Sequence, residues 1–173
     1  YCGWGQMLSL FLSDSCALYN LAQSGLTTDT FRSEGHYDIM QERLTEGDFV
    51  FFQFAHNDQK LPELKANERF KENFLTYARE VREKGAVPVF VTPLARNTWY
   101  GDGSGYNDLL AEYASAIIEA AGELSVMLID LHKLIMDWLI TAGPERCKPC
   151  FYPRVYPHTN DHGGLPVAHM LRQ

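Results

Sequence analysis

Three stretches of this chain hold side chains able to do chemistry. In Phe49-Val-Phe-Phe-Gln-Phe-Ala-His-Asn-Asp58 an apolar run ends abruptly in His56, Asn57 and Asp58. Polar residues there either cap a turn or point into a site. Near the other end, Tyr156-Pro-His-Thr-Asn-Asp-His-Gly-Gly164 places His158 ahead of a helical pattern. A histidine in that position suits a general base, because its pKa lies near working pH. The third stretch is Cys147-Lys-Pro-Cys150. A thioredoxin-type redox pair needs its first Cys at a helix N-terminus, where the dipole lowers the thiol pKa. Pro149, Pro153 and Pro157 argue that no helix starts there. With His158 and His162 the same cysteines spell Cys-x2-Cys-x7-His-x3-His, a zinc set whose middle spacing is short.

These groups need elements to position them, and the apolar pattern supplies two kinds. Short continuous runs at 17–20, 49–54, 87–92 and 125–130 suit strands buried on both faces of a parallel sheet. Helical spacing marks Leu64 to Lys84, where Phe70, Phe74, Tyr77 and Val81 recur every three or four residues and Gly85 follows as a stop. It returns from Asp108 to Leu124, with shorter helices expected at 4–12, 37–44 and 131–140 and a last one containing Val167, Ala168 and Leu171. Alternation of strand and helix predicts βαβ units and a three-layer α/β/α fold with a parallel sheet. Ligands of such sheets bind beyond the carboxyl ends of the strands. Asn20, His56-Asn57-Asp58 and Thr92-Pro-Leu-Ala-Arg96 all fall there.

Composition excludes several classes. The 173 residues are 46% apolar and 21% charged, which suits one globular domain spanning 1–173 rather than a disordered chain. No apolar run approaches the roughly 18 residues of a membrane span. A net charge of −7 argues against nucleic-acid partners, and scattered Lys and Arg argue against an anionic membrane surface. No nucleotide-binding Gly-x-Gly-x-x-Gly follows a predicted strand. Gly101-Asp-Gly-Ser-Gly105 precedes a helix and follows no strand, so it reads as a surface loop. Trp99 and Tyr100, past the third run, either stack on a sugar ring or cover the edge of the core.

Taken in order, five segments resemble the SGNH (GDSL-type) hydrolases, in the rhamnogalacturonan acetylesterase-like branch. They are Gly3-Trp-Gly-Gln6, Asn20-Leu-Ala-Gln-Ser-Gly25, Phe54-Ala-His-Asn-Asp58, Thr92-Pro-Leu-Ala-Arg96 and His158-Thr-Asn-Asp-His-Gly163. The resemblance implies a serine esterase that removes acyl groups from plant cell-wall polysaccharide without a cofactor. It assigns His158 as the base, and the Gly25 N–H and the Asn57 side-chain amide as oxyanion-hole donors.

Three departures accompany it. The Gly-Asp-Ser block that carries the nucleophile, with the first strand, belongs upstream of Gly3-Trp-Gly-Gln6. Asp14-Ser15 is no substitute, since it follows that landmark. Val155 stands where the family has the Asp that orients the histidine, a loss worth about 10⁴ in rate in a serine triad. Asp161 or a backbone carbonyl is left as the orienting group. Ala55 replaces the family's Gly, a small change expected to narrow the local backbone choice. The competing expectations are a catalytically inactive relative that binds carbohydrate, and a zinc-stabilised interaction module. An exported or periplasmic location is favoured over the cytoplasm.

Overall fold

The computed structural model describes residues 2–102, 105–152 and 155–170, and it divides into two compact units. The first comprises 1–22, 94–109 and 131–173. The second comprises 23–93 and 110–130. In chain order the helices are α1 (Trp4–Met7), α2 (Thr28–Ser33), α3 (His36–Arg43), α4 (Lys71–Glu83), α5 (Ala111–Leu124), α6 (Leu131–Ala142), α7 (Pro144–Cys147) and α8 (Asp161–Met170). The strands are β1 (Phe49–Phe52), β2 (Val87–Val91), β3 (Met127–Ile129), β4 (Phe151–Tyr152) and β5 (Val155–Thr159).

The second unit is built on a parallel sheet in the order β1-β2-β3, with Phe52 opposite Phe90 and Phe90 opposite Leu128. Three of the four predicted strands are therefore present, each slightly shorter than its apolar run. Helices pack against the sheet because their apolar stripes face it. In α4 the buried residues are Phe74, Tyr77, Ala78 and Val81, one face at steps of three and four. Gly85, at φ 74°, ends that helix as expected. Aromatic rings fill the space between helix and strands: Tyr77 stacks on Phe52 at 5.2 Å, and Phe74 meets Phe90 edge-on at 4.9 Å. The helix predicted from Leu64 begins later, because Glu68 breaks the helical backbone (φ −117°, ψ −121°) within a π-type turn at Ala66–Phe70. At the far side, β1 pairs only with β2 among the described residues, and Phe49 and Phe51 are 59% and 40% exposed.

The first unit holds α1, α6, α7, α8 and the antiparallel pair β4-β5 around Leu131, Ile135, Leu139, Cys147, Phe151 and Val167. Its N-terminal end is fixed by Cys2, whose N–H donates to the Thr159 carbonyl (3.1 Å) while the Thr159 hydroxyl donates to the Cys2 carbonyl (2.7 Å). Here two expectations fail. Residues 17–20 form no strand; they are exposed, and the Asn20 side chain instead accepts from the Ala22 N–H at 3.1 Å. An apolar run becomes a strand only where a neighbouring edge takes its backbone groups. The helix expected at 4–12 is a single α-turn followed by a 3-10 turn at Leu8–Phe11. Gly103, Ser104 and the end of the last predicted helix beyond Met170 lie outside the described residues.

Candidate active site

The carboxyl ends of the three parallel strands are laced by polar side chains. Gln53, after β1, donates through Nε2 to the Thr92 carbonyl (3.0 Å), and Thr92, after β2, donates through Oγ1 to Asp130, after β3 (2.9 Å). Beyond Gln53 the chain turns sharply at Ala55, which is fully buried with φ 123°. That is left-handed territory where glycine is the unstrained residue, so replacing Gly by Ala is not the small change expected. It stores about 1–3 kcal/mol.

Two hydrogen bonds hold the turn in place: the Gln59 N–H to the Ala55 carbonyl (3.0 Å), and the Ala55 N–H to Asp58 Oδ2 (3.1 Å). Asp58 is completely buried. Its Oδ1 accepts from the Thr28 N–H (2.8 Å) and the Thr28 hydroxyl (2.7 Å). Burial pushes the Asp58 carboxyl above its ordinary value, against the pull of these hydrogen bonds. Asp58 is therefore a clamp between the end of β1 and the start of α2, not a group facing a substrate. Tyr77 adds a second tie by donating to the Thr28 carbonyl, and burial raises its phenol to about 12.

The clamp sets two expected site residues side by side. Asn57 Nδ2 donates to the Leu26 carbonyl at 3.1 Å, next to Gly25, while Lys60 Nζ donates to Asn57 Oδ1 at 2.7 Å. An amide nitrogen has two hydrogens, and this contact uses one. The ammonium on Oδ1 polarises the amide and strengthens Nδ2 as a donor. Gly25 is exposed with φ 95°, and a Cβ there would meet nothing within 4 Å. The requirement for glycine at this turn is thus conformational, not steric.

His158 belongs to the first unit. It is half-buried at the penultimate position of β5. The chain after it is fixed closely: Asn160 Nδ2 donates to the Pro149 carbonyl (2.7 Å), and a Cβ at Gly163 would fall 2.1 Å from the Cys150 carbonyl oxygen. The side chains of Val155 and Asp161 lie outside the described residues. The same unit contains a pair the sequence patterns did not single out: His132 Nε2, on α6, lies 2.9 Å from Asp108 Oδ2, with the His132 side chain 7% exposed.

Cys147 ends α7 rather than starting a helix, and Cys150 closes a 3-10 turn at Lys148–Cys150. That turn does start beside Pro149, contrary to expectation, because a first-turn proline is tolerated. Both thiols are free and burial raises their pKa values, the opposite of a reactive thiolate. His162 is exposed, and among the described residues no group of three or more His, Cys, Asp or Glu could hold a metal ion.

Residues 1–161 match the GDSL-like Lipase/Acylhydrolase family. The chain belongs to that family. This GDSL-type chain is 35% identical over 164 residues to rhamnogalacturonan acetylesterase RhgT of Bacillus subtilis (strain 168), a match covering 95% of the chain and 69% of that protein. Its structure superimposes on the crystal structure of YxiM from Bacillus subtilis with a TM-score of 0.88 at 27% identity, covering 97% of the chain and 48% of YxiM. The chain thus spans about half the length of that protein. An acetyl xylan esterase, AlAXEase, shares the fold at 19% identity (TM-score 0.76, covering 98% of the chain and 88% of that structure). The expected three-layer α/β/α architecture is the fold of this family, and the family is one of ester hydrolases.

Proposed function

We propose that this GDSL-type chain belongs to a carbohydrate acetylesterase acting on plant cell-wall or related polysaccharide. His158 is the general base, the Gly25 N–H and Asn57 Nδ2 are the oxyanion donors, and the nucleophile is the serine of the family's Gly-Asp-Ser block. The chain is read as one domain, because the family match runs continuously through both units. The observation that supports the reading is the bond from Asn57 to the Leu26 carbonyl, one residue after Gly25. The relatives named as rhamnogalacturonan acetylesterases support the substrate class.

The serine oxygen attacks the acyl carbon and passes its proton to His158. Negative charge gathers on the former carbonyl oxygen, where Gly25 and Asn57 meet it, each donor being worth about two to three orders of magnitude. Collapse expels the sugar alkoxide, which takes the proton from His158. Water, deprotonated by the same histidine, then releases acetate and restores the serine.

Val155, where the resemblance implies an Asp, favours a second reading as an inactive carbohydrate-binding relative. The test is hydrolysis of nitrophenyl acetate and of an acetylated pectic oligosaccharide by the intact protein and by His158→Ala. Loss of about 10³-fold or more in the variant is expected, and equal rates would remove His158 as the base. Inactive wild type with turnover restored in Val155→Asp would establish the second reading.

A further inference from the structure

Cys147-Lys-Pro-Cys150 is a chemical motif that the proposed reaction leaves unused, and it lies wholly within the first unit. Cys147 ends α7 in right-handed helical backbone (φ −84°, ψ −22°), and Lys148 continues it (φ −48°, ψ −45°) into the 3-10 turn at Lys148–Cys150. In a 3-10 turn, residues three apart eclipse one another, and a rise of about 2 Å per residue sets their Cα atoms about 6 Å apart. That falls inside the roughly 4.4–6.8 Å that a disulfide spans. Both thiols are free, Cys147 fully buried and Cys150 half-buried. Cys150 is thus open to a small sulfur reagent, and Cys147 sits behind it.

The turn backs the strand that carries His158. Phe151, next after Cys150, pairs with Thr159, next after His158. The Cys150 carbonyl accepts from the Asn160 N–H (3.2 Å), and the Pro149 carbonyl accepts from Asn160 Nδ2 (2.7 Å). Cys150 also lines a narrow apolar cavity together with Thr159, Gly163 and Val167. Stiffening 147–150 therefore stiffens the two residues that follow His158. Burial raises both thiols, and the neighbouring Cys150 adds to the rise at Cys147. A catalytic Cys-x-x-Cys pair is oxidising because its reduced form is stabilised as a thiolate. This pair lacks that stabilisation, so its disulfide is slow to form and hard to reduce.

We propose that Cys147 and Cys150 are a modification site, closed in an oxidising compartment to a disulfide that braces the His158 strand. The oxidant is a low-molecular-weight disulfide such as oxidised glutathione. Cys150, as thiolate, attacks one of its sulfurs, giving a mixed disulfide and one glutathione thiolate. Cys147, deprotonated in turn, attacks the Cys150 sulfur and expels the second glutathione, so two electrons and two protons pass from the protein to two glutathione thiols. The pairing stands on the turn alone, and only its bearing on catalysis rests on His158 as the base. The experiment incubates the 173-residue chain with oxidised glutathione, alkylates the remaining thiols after unfolding and maps the peptides by mass spectrometry. A Cys147–Cys150 link is expected, with no glutathione retained on either residue. Hydrogen exchange is then compared in the oxidised and dithiothreitol-reduced chains, and the Asn160 N–H is expected to exchange about tenfold more slowly in the oxidised one. Cys150→Ser is expected to abolish that difference, and Cys16→Ser, at an exposed position, to keep it. Both principal readouts are taken on the wild-type chain, so they decide the matter even where a variant fails to fold. Alkylated Cys147 and Cys150, a link from either to Cys2 or Cys16, glutathione held on Cys150, equal exchange in the two forms, or a difference that survives Cys150→Ser would each overturn the site.

Discussion

Asp58→Ala isolates the clamp from the chemistry. The substitution removes the acceptor for three donors, the Thr28 N–H at 2.8 Å, the Thr28 hydroxyl at 2.7 Å and the Ala55 N–H at 3.1 Å. A buried donor left without an acceptor costs about 1–3 kcal/mol, so three cost roughly 3–6 kcal/mol with partial relaxation. Two gains offset this, the end of carboxylate burial and release of Ala55 from φ 123°, together about 1–2 kcal/mol. The net loss is about 3 kcal/mol, a large fraction of the stability of an ordinary domain. At a urea m-value of about 2 kcal/mol per molar, the midpoint falls by about 1.5 M. Far-UV circular dichroism is the proper probe, because Trp4, Trp99 and Trp138 all lie in the first unit and report on it instead.

The pH profile gives an independent check. Burial raises the folded carboxyl above its unfolded value, so the folded state binds more protons in that window. Stability therefore falls as pH rises from the ordinary carboxylate range through the folded value, and Asp58→Asn flattens that segment. Asn57→Ala should behave in the opposite way, losing about 1 kcal/mol or less but two to three orders of magnitude in kcat. A midpoint for Asp58→Ala within about 0.3 M of wild type would refute the clamp.

Ala55→Gly should be neutral or stabilising by up to about 1 kcal/mol, because relief of strain exceeds the entropy and methyl burial lost. Ala116→Gly, fully buried in α5, should by contrast cost about 1–2 kcal/mol; equal effects in thermal melts would contradict the strain at Ala55. Tyr77 should stay protonated to about pH 12 in an absorbance titration difference against Tyr77→Phe. Since its unfolded phenol ionises near 10, its stabilising contribution is lost as pH rises between those values. Asp108→Asn should lower the melting temperature of the first unit, by about 1–3 kcal/mol of stability, through the 2.9 Å contact to buried His132; tryptophan fluorescence will show it.

Much of the fold was legible because its signals are local. The spacing of Phe74, Tyr77 and Val81 makes the buried face of α4, and β1, β2 and β3 follow their apolar runs. Residues 17–20 carry the same kind of run but form no strand, because pairing depends on a neighbour that the run does not encode. Helix α2 went unpredicted since its segment is polar, although Thr27 and Thr30 bond reciprocally in a capping box that the sequence displays. Asn57 and Gly25 are candidates through family resemblance, and the structure adds a bond from Asn57 to the Leu26 carbonyl beside Gly25. Asp58 could be seen as a capping residue, but its partner Thr28 is thirty positions away and no local pattern identifies it. The Asp108–His132 pair is separated by twenty-four positions and left no signal beyond the presence of the two residues.

The far side of β1 has a practical consequence for anyone handling the 173-residue chain. Among the described residues β1 has a strand partner on one side only, β2, and no charged residue stands between Asp48 and His56 to discourage a visiting strand. Such an edge is a template for self-association. Monomer should therefore be depleted as concentration rises even while secondary structure persists, and sedimentation would register this before circular dichroism does. A lysine in place of Phe51 would act as a gatekeeper, raising the working concentration without touching Asn57, Gly25 or His158.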